Sequence, residues 1–316
     1  MASTASHTQD TALRAPDFSL RQLSYFLAAA ECESVQQAAQ ALHVSAPAVS
    51  TAIAHLEALL GVQLFRRRHA RGLILTEQGS AFAVQCRGIL QEAWGLGSLQ
   101  GRGELHGQVR VGCLTTFAPF VIPPLLTRVQ QHLPGVRLAW FEGHHEYLLE
   151  GLRTGTLDIA VLYDFEIPSG IKLVALRAAP LQVVLPASHA LAAKETLATS
   201  DLNTEPLILL DLPRTREYML TAFSSNGAIP RIAHSVLSIN MLLGMVVAGH
   251  GFSLLNFCPP NALPGMGGIV SRAFESHVRQ PNIVAAYSFR YHYPRAAAAI
   301  VEHISELVDE LVIQAH

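Results

Sequence analysis

"VSAPAVSTAIAHLEALLG", residues 44–61, predicts a helix whose start and end are both marked. Ser45 is a suitable N-cap, and Pro47 is tolerated in a first helical turn because an N–H would have no partner there. Gly61 suits the left-handed conformation in which many helices end. Four apolar residues recur at helical spacing and mark the side that we expect to be buried: Val49, Ile53, Leu56 and Leu60.

The segments before and after this helix predict a helix-turn-helix followed by a wing. "LRQLSYFLAAAE" (20–31) has apolar residues at helical spacing, and "SVQQAAQALH" (34–43) predicts a short helix with Ser34 as its N-cap. Only a tight turn separates that short helix from the next one, as in a helix-turn-helix. Then "FRRRHARGLIL" (65–75) predicts a two-stranded hairpin with a basic tip, and Thr76 predicts the cap of a further helix.

A long helix is predicted from Glu77 to about residue 102. One of its faces is apolar: Phe82, Cys86, Ile89, Leu90, Ala93, Leu96 and Leu99. This face either belongs to the core of a larger domain or pairs with the same helix of a second copy. We favour dimerisation, because no neighbouring segment of sequence offers this face a core. Several glycines weaken the helix, since each costs about 1 kcal/mol relative to alanine.

From Gln108 onward, strands alternate with helices, which predicts an α/β fold. "QVRVGCL", "VRLAWFE" and "LDIAVLY" are strands separated by helices, and this βαβαβ order requires a parallel sheet. A second series begins at "LQVVLPA", and the chain closes with the strand "NIVAAYSF" and a helix. The pattern predicts a bilobed, periplasmic-binding-protein-like domain, with a ligand in the cleft between two α/β lobes.

The predicted fold class is therefore α/β, with an N-terminal winged helix-turn-helix of the all-α type. Its parts are a disordered tail (1–17), the winged helix-turn-helix (18–78), a linker or dimerisation helix (79–106), lobe I (107–177 and 279–316) and lobe II (178–278).

Composition limits the classes of protein that fit. The net charge is −2 and the pI about 6.7, so any nucleic-acid contact must come from a local basic patch. No apolar run is long enough for a membrane span, and the first residues lack the apolar core of a signal peptide. The four scattered cysteines contain no CxxC pair, which predicts a reduced, cytoplasmic protein. No HExxH, GxSxG or phosphate-binding motif is present, so we predict no metal, cofactor or catalytic residue.

A set of residues in the N-terminal part carries a resemblance to a known family: Leu23, Phe26, Ala38, Ala39, Leu42, Val44, Ser45, Pro47, Ala48, Val49, Ser50, Ile53, Leu56, Glu57, Leu60, Gly61, Leu64, Phe65, Arg67, Leu75, Thr76 and Gly79. With this spacing the sequence resembles the LysR-type transcriptional regulators. Segments such as "GQVRVG", "LLEGLRTGTLDIAVL" and "VAGHGFSLL" extend the resemblance more loosely, to about residue 310.

The resemblance implies a DNA-binding regulator of transcription, usually a homotetramer whose linker helices pair into dimers. It implies double-stranded promoter DNA as a partner, RNA polymerase as a further partner, and no cofactor. It also implies a small-molecule effector in the cleft, often an organic acid or an aromatic compound, which changes how the tetramer holds DNA.

The predicted DNA-reading helix departs from the family pattern. Many members carry Gln, Arg or Lys at several exposed positions, where this sequence has Ala46, Thr51, Ala52, Ala54 and His55. Hydroxyl groups and alanine methyl groups contact base edges, but each lost bidentate pair forgoes about 1–3 kcal/mol of discrimination. We therefore expect DNA shape and several half-sites bound together to supply much of the specificity.

Positive charge for DNA binding must come from outside this helix. Four arginines lie between residues 66 and 71, and Arg21 begins the first helix, which predicts phosphate and minor-groove contacts. Each of these predictions has an alternative. The arginines could form a solvated loop tip, Ser50 could pack near the turn, and His55 could be exposed without contacting DNA. The predicted DNA contacts are Arg21, Ser34, Ser45, Ala46, Pro47, Ser50, Thr51, His55, Arg66, Arg67, Arg68 and Arg71.

The effector cleft is predicted at strand ends of the two lobes. Thr115 and Thr116 follow the first strand and begin a helix, so their N–H and hydroxyl groups indicate a cradle for a carboxylate, with helix capping as the alternative. Asp211 suits an amine or hydroxyl of a ligand, or the cap of the next helix, and Phe117 either lines the pocket or fills the core. The predicted effector contacts are Thr115, Thr116, Phe117, His144, Asp211, Thr215 and Ser238.

Two other classes of protein fit parts of the sequence. A bilobed small-solute-binding protein without DNA function would share the lobes, but it would carry a secretion signal and no winged helix-turn-helix. An enzyme on the same lobes would need a nucleophile–base pair or a cofactor motif. The sequence therefore favours an effector-responsive transcription regulator, and not an enzyme.

Overall fold

The computed structural model describes residues 16–68, 72–97, 105–258, 268–288 and 295–313. The chain divides into two compact units, Met1–Ala93 and Trp94–His316. The disordered tail predicted for residues 1–17 lies almost wholly outside the described residues. None of the described helices has the length and hydropathy needed to cross a bilayer.

The first unit contains the predicted winged helix-turn-helix. Its three helices are α1 (Leu20–Glu31), α2 (Val35–Ala41) and α3 (Ala46–Leu60). An antiparallel hairpin of β1 (Phe65–Arg68) and β2 (Gly72–Leu75) follows as the wing. The order and type of all five elements agree with the sequence pattern.

Local hydrogen bonds define the ends of these helices. Ser19 caps α1 in a reciprocal capping box with Gln22. Ser34 caps α2, as predicted, by accepting a backbone N–H at 3.4 Å. Ser45 occupies the N-cap position of α3, but its side chain makes no capping hydrogen bond, so that part of the prediction is wrong. Gly61 ends α3 with a φ of 67°, which glycine adopts without steric strain.

Two positions on α3 differ from the predicted burial. Leu60 was expected to be buried but is 39% exposed, because it is the last residue of α3 and does not belong to the core of this unit. Ala52 was placed on the exposed side but is only 5% exposed, because it lies beside Ile53 on the face that packs against the other helices. Ala52 is therefore removed from the surface that can meet a partner.

A fourth helix, α4 (Glu77–Gly97), begins as predicted, because the Thr76 hydroxyl accepts a hydrogen bond at 2.9 Å from the N–H three residues later. The expectation that its apolar face has no core beside it is wrong for the first half. Cys86 and Leu90 are buried in the core of the first unit. Ile89 remains 41% exposed. The predicted continuation after residue 97 lies outside the described residues as far as residue 104.

Phe26 lies at the centre of this core. It is fully buried, and its ring centroid lies 5.3 Å from that of Phe65 and 5.1 Å from that of Phe82. The Glu57 carboxylate accepts the Leu64 N–H at 2.7 Å, which fastens α3 to the start of the wing. The hairpin and α4 are thus held on the helix-turn-helix by aromatic packing around Phe26 and by the hydrogen bond from the Leu64 N–H to Glu57.

Lobe I of the second unit is built on a five-stranded mixed sheet. Its spatial order is β4 (Val136–Gly143), β3 (Gly107–Leu114), β5 (Ile159–Tyr163), β13 (Asn282–Ser288) and β6 (Ile171–Ala178). The predicted βαβαβ part is parallel, whereas the returning β13 is antiparallel to both of its neighbours. One face is covered by α5 (Ala118–His132) and α10 (Arg295–Ile313), and the other by α6 (His145–Thr154).

Lobe II combines a mixed sheet with a parallel strand pair. The sheet is ordered β11 (Ser253–Leu255), β7 (Gln182–Pro186), β12 (Ile269–Phe274) and β8 (Thr196–Leu197), and the pair is β10 (Arg231–Val236) with β9 (Pro206–Leu210). Three α-helices are present in the described part of the lobe: α7 (Thr199–Leu202), α8 (Thr215–Ser224) and α9 (Ile239–Val247). Gly251, with a φ of 149°, passes so close to the Pro206 carbonyl that no side chain fits there.

Four of these strands have no counterpart in the sequence-based prediction. The residues of β6 and β10 are exposed or half-buried in the fold, and β10 shows neither the alternation nor the apolar run that identifies a strand, whereas the short apolar run of β6, residues 173–176, was missed. β8 has only two residues, and β12 is mostly half-buried. Tertiary pairing, and not local pattern, makes these segments extended.

Candidate functional site

The exposed side of α3 is available to an outside partner. Five predicted contact residues are exposed along it: Ser45, Pro47, Ser50, Thr51 and His55. Ala46 is half-buried, and Arg21 is exposed near the start of α1. Ser34 is half-buried, and its hydroxyl is engaged in capping α2. The surface of α3 is therefore polar and free of Lys and Arg.

Positive charge lies on the neighbouring wing. Arg66 is exposed in β1, where its backbone pairs with Ile74. Arg67 and Arg68 continue the same strand, and Arg71 lies outside the described residues. Cations on a hairpin beside a helix without Lys or Arg suit a DNA duplex, because phosphates attract the cations while base edges meet hydroxyl groups and small side chains.

A cleft of about 820 Å³ lies between lobes I and II. A cavity of this size suits a small organic molecule. Apolar side chains from both lobes form much of its wall: Leu114, Tyr163, Phe165, Leu210, Leu212, Leu255, Phe257 and Val278. Polar groups converge on the same space: Thr115, Thr116, His144, Glu146, Glu166, Arg214, Thr215, Glu217, Tyr218, Asn256 and Arg279.

Thr115 and Thr116 line the cleft, but they do not form the predicted helix-terminal cradle. The N–H and hydroxyl of Thr115 both donate to the Gly143 carbonyl, at 3.2 and 3.1 Å, and α5 begins only at Ala118. Thr116 is buried, and its hydroxyl makes no hydrogen bond of normal geometry to the described residues, although the Tyr163 hydroxyl lies beside it. Thr116 therefore places a hydroxyl without a hydrogen bond of normal geometry in the wall of the cleft.

Three of the predicted effector contacts lie outside the cleft. Phe117 is fully buried in the lobe I core, with its ring centroid 4.7 Å from Tyr163, because it turns inward at the start of α5. The Asp211 carboxylate accepts from Arg216 at 2.9 Å and neither faces the cleft nor caps a helix. Ser238 occupies the exposed N-cap position of α9, away from the cleft wall. Of the predicted set, His144 and Thr215 line the cleft together with the two threonines of lobe I.

Arg214 links the two lobes across the cleft. Its guanidinium donates to Glu146 of α6 and to Glu166, which follows β5 in lobe I. These two carboxylates raise the pKa of Arg214. Arg214 and Glu166 have φ values of 65° and 42°, a conformation that costs of order 1–3 kcal/mol for residues other than glycine. Because all three side chains are solvent-exposed, each ion pair contributes at most about 1 kcal/mol, so a ligand can replace it.

Phe165 forms a second contact between the lobes. Its ring centroid lies 5.1 Å from Tyr218 of α8, and the Arg279 guanidinium lies over the same ring at 5.4 Å. Arg279 also pairs with Asp164 at 2.9 Å. The Phe165 carbonyl lies 2.8 Å from Nε2 of His145, whose pKa is lowered mainly by desolvation. The neutral His145 ring thus positions the aromatic residue that forms part of the cleft wall.

Comparison with known families decides what kind of protein carries these two sites. The model of the bacterial regulatory helix-turn-helix proteins of the lysR family matches residues 20–80. The model of the LysR substrate binding domain matches residues 102–309. The chain is a LysR-type transcriptional regulator. This assignment confirms the predicted DNA-binding and effector-binding domains, and it decides against a solute-binding protein without DNA function.

Solved and curated members of the family are similar to this LysR-type regulator over most of its length. HinK from Pseudomonas aeruginosa is 32% identical with a TM-score of 0.58, over 92% of this chain and 99% of that one. CbnR, solved in complex with its target DNA, is 27% identical with a TM-score of 0.52, over 92% and 100% of the two chains. The hydrogen peroxide-inducible genes activator of Dickeya chrysanthemi is 30% identical, over 78% of this chain and 80% of that protein.

Several cleft residues of this LysR-type regulator cannot be identified from its sequence. "LDLPRT" directed attention to Asp211 and Thr215, but Arg214 between them is the side chain that crosses the cleft. Its positive φ turns it toward lobe I, and nothing in the local sequence indicates that conformation. Tyr218 and Arg279 are close in space although they are far apart in the chain, as the hydrogen bond from the Tyr218 hydroxyl to the Arg279 carbonyl at 3.2 Å illustrates.

Proposed function

We propose that this LysR-type regulator binds double-stranded promoter DNA through α3 and its wing, and that a small organic effector in the lobe cleft changes that binding. The proposal is carried by the presence, in one chain, of a helix with an exposed side free of Lys and Arg, a basic hairpin beside it, and a ligand-sized cleft. The proposed DNA contacts are Arg21, Ser34, Ser45, Ala46, Pro47, Ser50, Thr51, His55, Arg66, Arg67, Arg68 and Arg71. The proposed effector contacts are Thr116, His144, Arg214, Thr215, Tyr218 and Arg279.

The regulator is proposed to act as a dimer or tetramer in the cytoplasm, joined through residues 79–106. The exposed Ile89 on α4 supports pairing between copies, because burial of an exposed aliphatic side chain stabilises an interface. CbnR is a DNA-bound relative, and the same partner is proposed here. No catalytic role is proposed, since no hydroxyl group of the described cleft residues is hydrogen-bonded to a general base.

The full-length chain is expected to protect a specific site in the DNA that flanks its own gene. Because wing arginines displace counterions from phosphates, this binding should weaken steeply as the salt concentration rises. Footprinting and gel-shift titrations at several salt concentrations measure both properties. A chain that lacks residues 1–78 should bind no DNA. Absence of binding at low salt, or binding that survives this truncation, contradicts the proposal.

An effector is expected to raise the melting temperature of the full chain, and its binding is expected to depend on Thr116. A ligand present at about 100 times its Kd stabilises the native state by about 2.7 kcal/mol, so a thermal-shift screen of organic acids and aromatic compounds identifies candidates. Thr116→Val keeps the side-chain shape and removes the unsatisfied hydroxyl, so we expect about tenfold weaker effector binding and a slightly more stable free protein.

Ser238→Ala is the matched control for this experiment. It also removes one hydroxyl, but Ser238 lies outside the cleft wall. Unchanged effector binding is expected for this variant. If Thr116→Val binds the effector as tightly as the original chain, or if Ser238→Ala weakens binding equally, the effector does not occupy the cleft in the proposed way.

Peroxide oxidation is not proposed as the signal, although the Dickeya chrysanthemi relative is named for it. Oxidation requires a thiolate, and reactive cysteines therefore combine exposure with a lowered pKa. In this chain, burial raises the pKa of Cys86 to about 12 and that of Cys258 to about 11. Burial also raises the pKa of Cys113, which is fully enclosed in lobe I. These three thiols remain protonated at neutral pH, which disfavours Cys86, Cys113 and Cys258 as the site of a peroxide signal.

A further inference from the structure

Gln22 of α1 contacts His55 on the exposed side of α3. Nε2 of Gln22 lies 3.1 Å from Nδ1 of His55. The oxygen of the same amide, Oε1, accepts the Ser19 N–H at 2.8 Å and lies 3.2 Å from the Ser19 hydroxyl. Because a backbone N–H can only donate, the amide oxygen must face Ser19, and the NH₂ group must face His55.

The direction of this hydrogen bond determines the tautomer of His55. Nδ1 accepts from Gln22 and therefore carries no proton, so the ring proton is on Nε2. The side chain is exposed, and Nε2 makes no hydrogen bond to the described residues. Pro47, Thr51 and His55 follow one another at intervals of one helical turn, so the Nε2–H group lies on the stripe that α3 offers to DNA.

We propose that His55 donates a hydrogen bond from Nε2–H to an acceptor on the bound DNA, and that Gln22 is the positioning residue that orients this donor. The inference rests on the proposed function, in which α3 enters the major groove. Two kinds of acceptor share the required chemistry: an acceptor on a base edge in the major groove, which is N7 or O6 of guanine, N7 of adenine or O4 of thymine, and a phosphate oxygen. The donor is neutral, so it adds a directed contact without adding to the salt-dependent part of the affinity. It is the one ring donor on a helix that lacks Lys and Arg.

Affinity for the footprinted site tests the pair in the full-length chain. His55→Ala removes the donor, and Gln22→Met removes the group that orients it. Each is expected to weaken binding about tenfold, and the double variant should be no weaker than His55→Ala alone. The slope of log affinity against log salt concentration should not change, because neither variant loses a charged contact.

Ser19→Ala separates the contact to His55 from helix capping. It breaks the same capping box as Gln22→Met, but the backbone N–H of residue 19 still orients the Gln22 amide. Both variants should lower the melting temperature by similar amounts, whereas only Gln22→Met should lower the affinity for DNA. Equal losses of affinity in Ser19→Ala and Gln22→Met would overturn the positioning role.

Modified DNA distinguishes the two acceptors. Replacing a base by an analogue that lacks one acceptor, such as 7-deazaguanine or 7-deazaadenine for N7, removes a base-edge acceptor, and replacing a phosphate by a methylphosphonate removes an anionic oxygen. At one such position the original chain should lose about tenfold in affinity, whereas the affinity of His55→Ala should not change there.

The proposal is overturned if His55→Ala binds the unmodified site as tightly as the original chain. It is also overturned if His55→Ala lowers the salt slope by about one, which indicates an imidazolium on phosphate. If the original chain itself shows no site-specific DNA binding, the proposed function is refuted instead.

Discussion

Simultaneous replacement of Arg66, Arg67 and Arg68 with alanine is expected to weaken binding to every DNA sequence by about 100-fold at moderate salt. These arginines are three of the seven in the first unit and lie together on the wing, whereas α3 has none. Each neutralised phosphate contributes about 0.9 to the slope of log affinity against log salt concentration, so the slope should fall by up to about 2.7. Titrations of the footprinted site and of an unrelated duplex at several salt concentrations measure both quantities.

Replacement of Arg153 and Arg216 with alanine controls for loss of positive charge elsewhere in the chain. Both are exposed helix residues of the second unit that pair with carboxylates, Glu150 and Asp211. Their replacement should leave the affinity and the salt slope nearly unchanged. If the wing variant instead keeps its affinity for unrelated DNA and changes only its sequence preference, the wing reads bases and the proposed division of roles is wrong.

Phe26→Ala is expected to lower the free energy of unfolding of the first unit by about 3–5 kcal/mol. The ring is fully buried between Phe65 of the wing and Phe82 of α4, so its removal leaves a cavity where three elements meet. Such a loss is a large share of the roughly 5–15 kcal/mol that stabilises a typical domain. Specific DNA binding should therefore be lost at temperatures that the original chain tolerates. Chemical denaturation and DNA binding followed at several temperatures test this expectation.

Leu20→Ala is the matched control for the core variant. Leu20 is also an apolar residue of α1, but it is 48% exposed, so its replacement should change stability by less than about 0.5 kcal/mol. Effector binding should persist in Phe26→Ala, because the cleft belongs to the second unit. Full stability of Phe26→Ala would mean that this aromatic cluster does not hold the wing and α4 on the helix-turn-helix.

The features that the sequence predicts correctly are those that depend on interactions between residues close together in the chain. The caps at Ser34 and Thr76, the helix end at Gly61 and the wing hairpin depend on a few neighbouring residues, and all were predicted correctly. The burial of Leu60 depends on what packs against the end of α3, and there the prediction was wrong. The same holds for the first half of α4, whose core partners come from segments that precede it in the chain.

By itself, the sequence determined the order of the domains, the type of most helices and strands, and the family, because periodicity, capping and turn chemistry act over a few residues. Only the tertiary structure decided which side chains reach the cleft. Thr116 faces the cleft while the adjacent Phe117 enters the core, and Arg214 crosses between the lobes in place of Asp211. In the folded chain, Gln22 also contacts His55, which lies 33 residues later in the sequence, and this contact orients the Nε2–H donor of His55 on α3. Side-chain direction at a strand end, and contact between distant segments, depend on the packing of the whole chain, which no local pattern records.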